Sequence, residues 1–137
     1  MVGAQIDHVM IRVEEKHESI RWYEEMLDWI VHEEFNADTF DVFFIGPADA
    51  DEETPLLELT YNHPAEDGVK TYDKGDSWGH IGIVVGDLYE AYEQLLERGV
   101  ADYRDPDSCG GHWAFIRDPD GHEIQLYERD FDIDPFD

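Results

Sequence analysis

Two histidines sit at matching places in two strand-like runs, His8 in DHVMIRV and His80 in GHIGIVV. Two further polar residues sit at matching places in two later runs, Glu58 in LLELTY and Gln125 in EIQLYE. The intervals are similar, 50 residues from His8 to Glu58 and 45 from His80 to Gln125. A carboxylate facing inward from an apolar strand is costly unless it is paired or metal-bound. Two neutral imidazoles, a carboxylate and an amide oxygen form an N/O set suited to a first-row divalent metal. Of the two later-strand residues only Glu58 can act as a base, because the Gln125 amide does not take a proton near neutral pH.

Strand alternation extends the site. His8, Met10 and Arg12 share one face, as do Leu56, Glu58, Thr60 and Asn62. Trp78, His80 and Gly82 share another, as do Glu123, Gln125 and Tyr127. Arg12 and Asn62 suit a polar, carboxylate-bearing substrate. Glu123 is read as pocket lining or a solvated carboxylate, because two residues of strand carry it about 6–7 Å from Gln125. His17, His32, His63, His112 and His122 lack a counterpart in the repeat and are read as surface or loop residues. Cys109 has no nearby base to activate it.

The elements that must position these residues occur twice in one order. In the first half, 6–13 reads as a strand and 17–29 as a helix with Ile20, Tyr23, Leu27 and Ile30 at helical spacing. Runs at 29–36, 40–46 and 55–61 read as three more strands. In the second half, 78–85 is a strand, 87–98 a helix capped by Gly99, and 100–104 a weak strand. The strands 112–117 and 123–128 follow, joined by the DPDG turn. The expectation is an α+β fold of two tandem βαβββ modules, with curved antiparallel sheets and helices outside. Residues 1–137 then form one domain, with modules at 6–62 and 78–129, a linker at 63–77 and an acidic tail at 130–137.

Composition limits the partners. Asp and Glu number 35 against 9 Lys and Arg, a net charge of −26. Such a chain repels nucleic acid and anionic membrane. With 42% hydrophobic residues and regular patterning, the charge is read as a salt-adapted surface rather than as disorder. No apolar run is long enough to span a bilayer, the N-terminus has no signal-peptide pattern, and one cysteine excludes an internal disulfide. A cytoplasmic enzyme is expected.

The stretches HVMIRV, IRWYEEMLDW, LLELTYN, YDKGDSWGHIGIVV and GGHWAFIRDPDGHEIQLYE together resemble the vicinal oxygen chelate superfamily, and within it glyoxalase I (lactoylglutathione lyase). The resemblance implies an octahedral metal site on His8, Glu58, His80 and Gln125, with Ni²⁺ or Co²⁺ favoured and Zn²⁺ or Mn²⁺ as alternatives. It implies substrate contacts at Arg12 and Asn62, and a homodimer, since the family often pairs first-half ligands of one chain with second-half ligands of another. The implied reaction converts the hemithioacetal of methylglyoxal and a small thiol to an S-lactoyl thioester, with Glu58 as base and the metal stabilising the enediolate. The thiol is glutathione or, if the charge reports salt adaptation, γ-glutamylcysteine. Two departures stand out: the family normally has Glu where Gln125 stands, and often Lys where Cys109 stands. An extradiol-type dioxygenase of the same superfamily and a non-catalytic small-molecule binder are the competing readings.

Overall fold

The computed structural model describes residues 1–64 and 71–129. The expected acidic tail at 130–137 and part of the expected linker lie outside the described residues. The chain divides into two compact units, Met1–Asp73 and Lys74–Asp137.

The first unit runs β1 (His8–Arg12), α1 (Lys16–Leu27), β2 (Trp29–Asn36), β3 (Phe40–Pro47) and β4 (Leu56–Asn62). Its sheet has the order β1-β4-β3-β2. The β2–β3 and β3–β4 pairs are antiparallel, but β1 runs parallel to β4, so the sheet is mixed. The buried face carries Ile11, Val13, Phe43, Ile45, Leu57 and Leu59, and Tyr23 of α1 is buried as well. Helix α1 begins where the Glu15 carboxylate accepts the backbone N–H groups of His17 and Glu18. It ends at Leu27, because Asp28 adopts left-handed backbone at φ 59°, which Asp tolerates better than most residues. Ile30 therefore lies outside the helix expected at 17–29 and forms part of β2, where it is exposed.

The second unit runs β5 (Ile81–Val84), α2 (Leu88–Glu97), a short 3₁₀ turn (Asp107–Cys109), β6 (Trp113–Arg117) and β7 (Glu123–Tyr127). Its sheet order is β5-β7-β6, with β5 parallel to β7 and β6 antiparallel to it. Asp87 caps α2 by accepting from Glu90 N–H, and Leu88, Tyr92 and Leu95 pack into the core with Ala114, Ile116, Ile124 and Leu126.

The strand expected at 100–104 does not form. Only Arg104 pairs with Phe115, as an isolated bridge. Side chains replace the ladder there: Tyr92 donates its hydroxyl to Asp102 at 2.7 Å and accepts the Tyr103 N–H at 2.9 Å. Burial, with the Asp102 bond adding to it, pushes the Tyr92 phenol up to about 12.

Candidate metal and substrate site

His8, Glu58 and Gln125 lie on the sheet face opposite the apolar one, as strand alternation requires, whereas His80, expected inside a strand at 78–85, precedes β5. In β4, Leu57 and Leu59 are buried while Leu56, Glu58 and Thr60 are half-buried on the other face. In β7, Ile124 and Leu126 are buried while Glu123, Gln125 and Tyr127 are half-buried.

In the first unit His8 Nε2 lies 3.7 Å from Glu58 Oε2. That is too long for a hydrogen bond. Donor atoms about 2.1 Å from one ion stand about 3 Å apart when adjacent and about 4.2 Å apart when opposite, so 3.7 Å lies within the span of two ligands of one cation. The other ring nitrogen, Nδ1, is 2.7 Å from Asp7 Oδ2. Arg12 is exposed at the end of β1, opposite Thr60. Asn62 donates through Nδ2 to the Tyr72 hydroxyl at 2.9 Å, which leaves its carbonyl oxygen as the acceptor. Tyr72 was not among the expected site residues, since no periodic element flags it.

The second unit repeats the strand pairing and the ring contact. Met10 pairs with Glu58 across β1 and β4, and Gly82 pairs with Gln125 across β5 and β7. Phe44 lies opposite Glu58, and Phe115 lies opposite Gln125. His8 meets Phe44 edge-on with centroids at 5.2 Å, and His80 meets Phe115 edge-on at 5.3 Å. The Gln125 amide oxygen sits 3.5 Å from where a Cβ on Gly82 would stand, over the strand that His80 leads into.

Glu123 is tied elsewhere on its face. The Tyr103 hydroxyl donates to its carboxylate, and this bond raises the Tyr103 phenol above its ordinary range. The Arg117 guanidinium stacks over the Tyr103 ring at 4.1 Å.

Two clusters escaped sequence reasoning. The first joins Lys16 of α1 to buried Asp41 of β3 at 2.7 Å, with His63 Nε2 3.1 Å from the same carboxylate. The bond to Lys16 holds Asp41 below the usual carboxylate range, and the bond to Asp41 holds Lys16 above the usual ammonium range. The signal available was parity: Asp41 alternates with Phe43 and Ile45 on the buried face. The second is the turn after β6, where Asp118, Asp120 and His122 offer ligand atoms within 4.8 Å of one another. Asp118 Oδ1 already accepts the backbone N–H groups of Asp120 and His122, and His122 Nδ1 lies 3.0 Å from Oδ2. These bonds clasp the turn, and they bury His122, which was expected at the surface.

Residues 5–126 match the Glyoxalase/Bleomycin resistance protein/Dioxygenase superfamily, and the chain belongs to it. It is 32% identical over 134 residues to the probable lactoylglutathione lyase of Vibrio cholerae, covering 94% of each chain. It is 33% identical over 126 residues to the lactoylglutathione lyase of Salmonella typhimurium, covering 88% of this chain and 90% of that one. Among solved structures, the trypanothione-dependent glyoxalase I of Leishmania major superposes with a TM-score of 0.77 at 34% identity, covering 92% of this chain and 87% of that one. Within the superfamily the chain is a lyase of the glyoxalase I type.

Proposed function

We propose that the chain isomerises the hemithioacetal of methylglyoxal and a small thiol to the S-lactoyl thioester. The observation that carries this reading is the facing of His8 Nε2 and Glu58 Oε2 at 3.7 Å, in a frame that recurs around His80 and Gln125. His8, Glu58, His80 and Gln125 would together hold one divalent cation, Ni²⁺ or Co²⁺ in preference to Zn²⁺ or Mn²⁺. Imidazole, carboxylate and amide oxygen are donors that such ions accept.

A cation held there supplies Lewis-acid stabilisation of the negative charge that develops on the two vicinal oxygens of the substrate. Glu58 takes the proton from C1 as that charge develops and returns a proton to C2. A C–H bond breaks at C1 and one forms at C2, while the hydroxyl proton leaves the C1 oxygen and one is gained by the C2 oxygen, so the conversion needs no external oxidant or reductant. Gln125 orients but cannot share the proton, which makes this a single-base site. Arg12 and the Asn62 carbonyl oxygen would recognise the γ-glutamyl end of the thiol, the guanidinium pairing with its carboxylate. The whole chain, 1–137, then works as one domain of two modules, as a homodimer in the cytoplasm, with glutathione or γ-glutamylcysteine as thiol.

The test is reconstitution. The protein is stripped in molar KCl, reloaded with Ni²⁺, Co²⁺, Mn²⁺, Zn²⁺ or Fe²⁺ singly, and assayed for thioester from methylglyoxal with either thiol. Metal-dependent thioester formation is expected. A folded, metal-loaded protein that makes no product with any ion would overturn the reading.

A further inference from the structure

The two halves share a frame but not a charge. The second half offers His80 and Gln125, both without negative charge, and the residue before His80 is Gly79, which has no side chain. The first half offers His8 and Glu58, and the residue before His8 is Asp7. Asp7 Oδ2 lies 2.7 Å from His8 Nδ1, and the Asp7 backbone carbonyl is fixed to β4 by the Leu56 N–H at 3.1 Å.

A carboxylate only accepts, so this contact requires the proton on Nδ1. In the neutral ring, Nε2 is then a bare lone pair, and it faces Glu58 Oε2 at 3.7 Å. Two acceptors turned toward each other repel unless something positive lies between them. A carboxylate behind a ligating imidazole both selects the tautomer and strengthens the far nitrogen as a donor. We propose that Asp7 is a positioning residue of the metal centre, holding His8 in the Nδ1–H tautomer and adding the second negative charge that the Gln125 half lacks. This rests on the reading of His8 and Glu58 as ligands of one cation.

The experiment uses the full metal-free chain at fixed KCl, with two readouts that do not involve turnover. Nitrogen NMR of the His8 ring reports the tautomer, and calorimetric titration with Ni²⁺ reports affinity. The wild type should show the Nδ1–H form, and Asp7→Ala should mix the tautomers and weaken Ni²⁺ binding about 10–100-fold. Asp7→Asn, which keeps an acceptor without the charge, should fall between them, and Gln125→Glu should restore part of the affinity lost in Asp7→Ala. If His8→Ala abolishes binding while Asp7→Ala leaves affinity and tautomer unchanged, the role of Asp7 is refuted and the metal reading stands. A folded wild type that takes up no Ni²⁺ would end both.

Discussion

His8 stands edge-on to Phe44, with ring centroids 5.2 Å apart and planes at 85°, and His80 repeats the contact with Phe115 at 5.3 Å and 84°. Each phenylalanine lies directly across the sheet from the polar residue of its half, Phe44 from Glu58 and Phe115 from Gln125. A ring edge carries positive partial charge and a ring face negative, so the T-shaped contact is attractive and restricts imidazole rotation. Both halves thus brace a histidine against an aromatic ring, and in His8 Nδ1 is bound to Asp7 while Nε2 is turned to Glu58.

Replacing the proposed base while keeping an oxygen donor separates chemistry from binding. Glu58→Gln should lower kcat at least about 100-fold, because the loss is that of a general base. Metal content of the purified variant should fall little. Thioester assay and elemental analysis on one preparation check both, and a variant that keeps most of its rate refutes the role of Glu58.

Gln125→Glu places a second carboxylate opposite Phe115. On the proposed ligand set activity should hold or rise, since the substitution adds a second proton acceptor to it. A rate assay with each epimer of the hemithioacetal measures this, and a large loss would count against the ligand set.

The Lys16–Asp41 pair joins α1 to β3, with Asp41 buried and Lys16 about a quarter exposed. Lys16→Met should cost about 2 kcal/mol, below the loss at a fully buried pair because His63 still faces Asp41. The lowered Asp41 makes its contribution fully present above the ordinary carboxylate range and removes it as pH falls through the depressed value. The raised Lys16 works the other way, its contribution vanishing only as pH climbs through the elevated ammonium value. Denaturant melts of wild type and variant should therefore converge at strongly acidic pH and stay apart near neutrality.

A net charge of −26 on 137 residues destabilises the compact state through self-repulsion. Raising KCl from about 0.1 M to about 1 M shortens the Debye length from ~10 Å to ~3 Å. Tm should climb by several degrees over that range. A thermal melt series in KCl measures it, and a flat response would refute the reading of the charge as salt adaptation.

Alternation and repetition were visible from residue types alone. The buried Leu57 and Leu59 flank Glu58, and Ile124 and Leu126 flank Gln125, so sequence parity already assigned the polar residues to the opposite face. The strand expected at 100–104 failed because Tyr92 takes both Asp102 and the Tyr103 backbone, and a contact from another element leaves no mark on local pattern. Asp41 left only its parity with Phe43 and Ile45, its partners Lys16 and His63 being brought by folding, and His122 is buried against Asp118 of its own turn.

What the sequence determined by itself was the repeated order of elements apart from the strand at 100–104, the face of His8, Glu58 and Gln125, and the extreme charge, because these follow from composition and short periodicity. Tertiary structure alone decided that β1 and β5 lie parallel to β4 and β7, which brings the strand bearing His8 beside that bearing Glu58, and the strand that follows His80 beside that bearing Gln125. It alone decided that His8 turns one nitrogen to Asp7 and the other to Glu58. Those are distances between side chains, set by strand pairing and rotamer, and no one-dimensional pattern encodes them directly.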